Sequence, residues 1–122
     1  MHTYCQIGLS RIVQAVLVVC LFLLESAPTR AEPQVPDQEV LDMGKALFQG
    51  GATPACAICH TLADAGTSGT IGPNLDTMAL DMEKVMTAIN EGTGVMPSFA
   101  DSLSEQQRMA IAQYVVWATQ QK

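Results

Sequence analysis

The chain has 122 residues, of which 48% are hydrophobic and 15% charged, and six basic residues face twelve acidic ones for a formal net charge of −6. This length accommodates one ordinary domain. The acidic excess argues against nucleic acid or an anionic membrane surface as the partner, because both are bound through basic patches.

The N-terminal segment has the pattern of an export signal. Arg11 precedes residues 12–24, which are apolar except for Gln14, and residues 29–31 end on Ala31, a small residue suited to signal peptidase. A membrane-spanning helix needs roughly 20 apolar residues, so this run is too short for one. We expect residues 1–31 to be a cleaved signal peptide; the alternative is an uncleaved anchor that tethers the same domain to a membrane.

Cleavage after Ala31 reduces the number of cysteines and histidines in the chain. Cys5, Cys20 and His2 leave with the signal, and the mature chain keeps Cys56, Cys59 and His60 as its cysteines and histidine. Its four basic and eleven acidic residues give a formal charge of −7. A domain this small is often stabilised by a disulfide, a metal or a cofactor.

The mature chain reads as an extended leader, residues 32–36, followed by one helical domain, residues 37–122. Asp37 can cap a first helix, whose apolar residues recur every three to four positions until Gly50 and Gly51 end it. Residues 61–80 are rich in Gly, Thr, Ser and Pro, which predicts a long irregular loop rather than strands. A loop that long in a small domain usually has a functional role, such as enclosing a ligand.

Two further helices are predicted after the loop. Asp81 can cap one that ends at Glu91 and Gly92, and Ser104 with Gln107 matches a capping box for another that runs to the C-terminus. No strand-like alternation of useful length is present. The fold class is therefore all-α, with about three to four helices and a substantial loop.

The motif that carries chemistry is Cys-x-x-Cys-His at residues 56–60, the c-type haem attachment signature. Two thiols three residues apart project from one side of a turn and can each add to one haem vinyl group, while His60 points its imidazole at the iron. A thioredoxin-type redox pair expects a βαβ pattern that this sequence lacks. A structural zinc site needs four protein ligands, and this motif supplies three at most.

The mature chain as a whole resembles the class I cytochromes c. Residues 44–48 are similar to that family's N-terminal helix, which crosses the C-terminal helix, and the resemblance implies Tyr114 and Trp117 as partners at the crossing. Residues 71–75 resemble the loop in which the carbonyl of Pro73 accepts the proton of the ligating His60. The family implies a small cytochrome c fold around one covalently bound haem c.

The sixth iron ligand is expected to be a methionine, because the mature chain has no second histidine. Met96 is the preferred candidate, since residues 94–97 resemble the family's Met-Pro element and lie 36 residues after His60. Met78, Met82 and Met86 recur every four residues, which is the pattern of a copper-binding stripe, but core packing is the stronger interpretation because methionine is a flexible core filler.

These residues predict an electron carrier rather than an enzyme. Haem iron bound by His60 and Met96 has no free position for substrate, and no carboxylate pair or Ser/His set supplies acid-base catalysis. The expected partners are redox proteins with basic docking surfaces, in the bacterial periplasm. Residues 55–66 and 71–76 also resemble the small cytochromes that accept electrons from molybdenum sulfite dehydrogenases. The alternatives are a gas or peroxide sensor or enzyme in which Met96 is displaced, and a structural module without haem.

Overall fold

The computed structural model describes residues 36–121, so the predicted signal peptide and all of the leader except Pro36 lie outside the described residues. The described chain is mostly helical, as predicted. In chain order its elements are helix α1 (Gln38–Ala46), a π-helical turn (Leu47–Gly51), the short helix α2 (Cys56–Cys59), strands β1 (Thr61–Leu62) and β2 (Thr67–Ser68), a 3-10 turn (Leu75–Thr77), helix α3 (Met82–Glu91) and helix α4 (Glu105–Gln120). No helix within residues 36–121 combines the length and the hydrophobicity that crossing a membrane requires.

Helix α1 begins where the sequence places it. The Asp37 side chain accepts a hydrogen bond from the Glu39 N–H, which satisfies one of the donors that every helix start leaves free. The helix then widens into the π-helical turn and ends after Gly51. Leu41 and Phe48 are buried along its inner face.

Helix α4 crosses α1 at a glycine. Both halves of the predicted capping box are present, since Ser104 accepts from the Gln107 N–H and the Gln107 side chain accepts from the Ser104 N–H. A Cβ on Gly44 would lie 2.8 Å from the Ala110 carbonyl carbon and 2.6 Å from the Tyr114 Cβ, so the two helix backbones approach each other closely there. The Phe48 and Tyr114 rings meet edge to face at 6.2 Å, which confirms the predicted crossing. Trp117 lies beside Tyr114, with ring centroids 6.4 Å apart.

A side-chain network ties this crossing to the loop after α2. The Tyr114 hydroxyl donates to Asp64 Oδ2 at 2.6 Å, and Lys45 Nζ lies 3.1 Å from the same oxygen. The Tyr114 hydrogen bond and the nearby Lys45 lower the pKa of Asp64. Burial and the Asp64 carboxylate raise the pKa of Tyr114. Three segments that are distant in sequence are thereby joined at one carboxylate.

The prediction of an irregular loop over residues 61–80 is wrong for four of them. Strands β1 and β2 pair antiparallel, with Thr61 opposite Ser68 and Leu62 opposite Thr67. The Thr67 hydroxyl accepts from the Leu62 N–H and donates to the His60 carbonyl oxygen. Strands of two residues are too short to leave an alternating pattern in the sequence, so they are recognised only by their backbone pairing in the folded chain.

Helix α3 packs its apolar face on the core. Asp81 caps it by accepting from the Lys84 N–H, as predicted. Met82 and Met86 pack against the buried core, which confirms the packing interpretation for those two residues. It does not extend to Met78, which lies outside that core and lines a cavity. Met78 precedes the start of α3, so the helical spacing that grouped it with the others does not apply.

Candidate haem site

A large apolar cavity lies between the loop after α2, helix α3 and the turn before Phe99. Its volume is about 580 Å³, within the range of roughly 300–1,000 Å³ typical of cofactor sites. The predicted site residues all line it: Cys56, Cys59, His60, Pro73 and Met96. The fold therefore brings together residues that the sequence spreads over forty positions.

The two cysteines are presented by α2. They stand three residues apart on this one-turn helix, a spacing that places side chains on the same face. They form no disulfide with each other. Burial is the main cause that raises the pKa of Cys56 to about 11. Redox-active thiols have a lowered pKa instead, which is not found at Cys56.

His60 turns out of α2 because the helix ends at that residue. Its N–H donates to the Cys56 carbonyl oxygen at 2.9 Å while its own backbone is extended, with φ −108° and ψ 140°. Its Nδ1 lies 3.0 Å from the Pro73 carbonyl oxygen. A carbonyl only accepts, so Nδ1 carries the proton and Nε2 keeps a lone pair for a metal.

Two glycines allow the chain to pass close to His60. A Cβ on Gly72 would lie 2.5 Å from the His60 Cε1, and one on Gly69 would lie 2.6 Å from the Cys59 carbonyl carbon. The Gly72 N–H also donates to the Cys59 carbonyl oxygen at 2.8 Å. The sequence reasoning missed this role. The available signal was the pair of glycines in a loop next to the haem motif.

Met96 is held in a tight turn on the cavity wall. Thr93 and Met96 exchange two backbone hydrogen bonds, 3.1 and 3.0 Å long. Gly92, with φ 74°, permits this turn, and a Cβ there would lie 2.6 Å from the Met96 carbonyl oxygen. Of the described methionines, Met78 and Met96 line the cavity. The lining of the cavity thus leaves two candidates for the methionine ligand.

The cavity suits haem c by its chemistry. Two thiols can form the thioether links, an imidazole and a thioether sulfur are established iron ligands, and the remaining lining is largely apolar, including Phe48, Val85 and Ile111. The space that Gly72 leaves free is occupied by the His60 ring. The residues present therefore fit the group that the motif implies.

Comparison with known proteins decides the family. The model of a family described as cytochrome C oxidase, cbb3-type, subunit III, matches residues 39–115, which is more than half of the chain. The chain belongs to the cytochrome c family. Its cofactor is accordingly one covalently bound haem c, and Cys56 and Cys59 fit the attachment motif.

The curated relatives that this cytochrome matches include cytochromes c6 and a cytochrome c-551. It is 33% identical over 85 residues to cytochrome c6 of Cladophora glomerata, a match that spans 65% of this chain and 89% of the relative. A match of the same identity and length to the chloroplastic cytochrome c6 of Chlamydomonas reinhardtii spans 62% of this chain but only 52% of that protein. Cytochrome c-551 of Halorhodospira halochloris is 32% identical over 57 residues, 46% of this chain and 72% of the relative.

A solved structure agrees with this assignment. The c-type cytochrome SorU from Sinorhizobium meliloti superposes with a TM-score of 0.63 at 41% sequence identity, covering 66% of this chain and 91% of that one. The all-α cytochrome c fold is therefore confirmed. The chain is a monohaem electron-transfer cytochrome of class I.

Proposed function

We propose that His60 and Met96 are the axial iron ligands and that the protein is a six-coordinate carrier of single electrons. The main support for this proposal is that both side chains line one apolar cavity together with the two attachment thiols. Bound haem c supplies the one-electron redox centre. The protein's own residues bind it, orient its ligands and keep water away from it.

Each residue has a distinct part in this proposal. The Pro73 carbonyl accepts a hydrogen bond from His60 Nδ1, which fixes the ring orientation and leaves Nε2 as the ligand atom. The Met96 thioether is a soft ligand that favours the reduced state. Apolar walls make the additional positive charge of oxidised iron more costly. With both axial positions filled, no substrate binds to iron, in contrast to the gas or peroxide sensor.

Replacing each of the two cavity methionines by alanine tests the assignment of the iron ligand. Met96→Ala should abolish the methionine-to-ferric-iron charge-transfer band, lower the reduction potential and admit carbon monoxide to the reduced iron. Met78→Ala is the matched control, because it removes the same side chain from the same cavity, and it should keep the band. Loss of the band in Met78→Ala alone would transfer the assignment to Met78. Carbon monoxide binding to the unsubstituted reduced protein would favour the sensor.

We propose further that the mature carrier is a periplasmic protein that begins at Glu32 and accepts electrons from a sulfite dehydrogenase, either as a free protein or as its cytochrome subunit. The motif resemblance of residues 55–66 and 71–76 supports this donor. The formal charge of −7 on the mature chain favours a partner with a basic docking surface. Mass spectrometry of the periplasmic protein should give an N-terminus at Glu32, whereas retention of residues 1–31 would indicate the anchor.

A further inference from the structure

The haem cavity must accommodate negative charge as well as an apolar ring, because haem c carries two propionate carboxylates. A carboxylate beside apolar walls is costly unless a cation or hydrogen-bond donors accompany it. The mature chain has a formal charge of −7, and its acidic side chains repel any further anion. A cation on the cavity wall would lower this cost.

Three basic side chains lie within residues 36–121, and one of them, Lys84, lines the cavity. Lys45 is paired with Asp64 beside the crossing of α1 and α4. Arg108 donates to two backbone carbonyls that precede α4. Neither Lys45 nor Arg108 lines the cavity. Within the described part of the chain, Lys84 is therefore the lysine or arginine available to a group bound there.

The Lys84 amine is held in position by two acceptors. Its Nζ lies 2.9 Å from Asp81 Oδ2 and donates to the Ala79 carbonyl oxygen at 3.1 Å. Asp81 also accepts from the Lys84 backbone N–H, so the two residues are joined through backbone and side chain. An ammonium group has three N–H donors. Asp81 and Ala79 accept from two of them, and the third can serve a further carboxylate.

Lys84 also lies on a different wall of the cavity from the attachment thiols. It stands on α3, whereas Cys56 and Cys59 stand on α2. The thiols bind the vinyl groups of the haem, and the propionates leave the ring at the edge remote from the vinyl groups. A partner for a propionate must therefore come from an element other than α2, and α3 supplies one.

We infer that Lys84 is the counter-charge of a haem propionate, that Asp81 and Ala79 position its amine, and that this contact raises the reduction potential. Oxidation adds one positive charge at the iron, and a nearby cation opposes that change. A neutralised propionate also stabilises oxidised iron less than a free one. The inference needs the haem c of the family but does not depend on Met96 as the iron ligand.

The test compares holoproteins in which one lysine charge has been removed. Lys84→Met removes the cavity lysine and keeps the Asp81 cap, which uses the backbone N–H of residue 84. Lys45→Met is the matched control, because it also removes a lysine that is paired with an aspartate but that lies away from the cavity. Lys84→Arg keeps the charge. A redox titration gives the reduction potential, and the propionate-bending mode of the resonance Raman spectrum reports the hydrogen bonding of the haem carboxylates.

Lys84→Met should lower the ratio of reduced to oxidised protein about threefold at a fixed ambient potential, and it should shift the propionate-bending mode. Lys45→Met should leave that mode in place and change the ratio less. Lys84→Arg should keep both properties close to those of the unsubstituted protein, because a guanidinium also pairs with a carboxylate.

An unmoved propionate mode in Lys84→Met, or an equal change of potential in the two lysine-to-methionine variants, would overturn the inference, since Lys84 would then be a surface charge and the propionates would be solvated. Loss of the methionine-to-ferric-iron band in Lys84→Met would overturn it as well, because the lysine would act through the iron ligand. Absence of that band in the unsubstituted protein would instead contradict the proposed axial ligand, and the Raman comparison would still decide the role of Lys84.

Discussion

Substituting Gly44 by alanine tests whether the crossing of α1 and α4 depends on backbone contact. A Cβ at this position would lie 2.6 Å from the Tyr114 Cβ and would also meet the carbonyl of Ala110. A carbonyl in the middle of a helix cannot rotate away, so one of the two helices must shift. This crossing also positions Phe48, which lines the haem cavity.

Two opposing effects decide the sign of the change in stability. Alanine is better than glycine in a helix interior by about 1 kcal/mol. Overpacking typically costs about 1–3 kcal/mol, and contact with rigid backbone places Gly44 at the upper end of that range. The expected net change is a loss of about 2 kcal/mol in the free energy of unfolding. In a domain of this size, that loss lowers Tm by roughly 10 °C.

Urea unfolding of the holoprotein, followed by far-UV circular dichroism, measures this change. Gly50→Ala is the matched control, because a Cβ at Gly50 would meet nothing within 4 Å. The control should be as stable as the unsubstituted protein or slightly more stable. If the Gly44→Ala protein were as stable as the control or more stable, the two helices could move apart without loss of unfolding free energy. The steric reasoning would then be wrong.

Three further substitutions test individual contacts. Gly72→Ala should displace the His60 ring, seen as a lower yield of covalent haem or an altered absorption spectrum, because its Cβ would lie 2.5 Å from that ring. Tyr114→Phe should reduce the loss of unfolding free energy that occurs as pH falls, because the Tyr114 hydrogen bond lowers the pKa of Asp64. The stabilisation from this lowered pKa is present above the unfolded pKa of about 3.9 and is lost as pH falls through the folded pKa. Urea titrations between neutral and acidic pH measure this, and an unchanged pH profile contradicts it. Ser104→Ala should cost about 1 kcal/mol in urea unfolding, and no loss would mean that the Gln107 half of the capping box suffices.

Helix starts could be predicted from the sequence because capping is local chemistry. Asp37, Asp81 and Ser104 each accept a hydrogen bond from an N–H two or three residues later, and each begins the helix that its position indicates. The haem motif is equally local, since its two attachment thiols and its histidine ligand lie within five consecutive residues. These features need no knowledge of how the chain folds back on itself.

Other features depend on contacts between distant residues and left no local pattern. Tyr114 and Asp64 are 50 positions apart, and nothing in the sequence pairs them. Gly72 is required by the His60 ring, which only the folded loop brings near. Met78 shares a helical spacing with Met82, but it precedes the helix and lines the cavity instead. In each case a tertiary contact determines the role of the residue.

The two proposed iron ligands share one structural property that matters for electron transfer. The His60 N–H is bound by the Cys56 carbonyl and its ring by the Pro73 carbonyl, while both backbone groups of Met96 are bound by Thr93. Both ligands are therefore positioned by hydrogen bonds to backbone groups. A site whose ligands are held by backbone hydrogen bonds needs little rearrangement when the charge changes by one electron, because the surrounding dipoles already point in fixed directions.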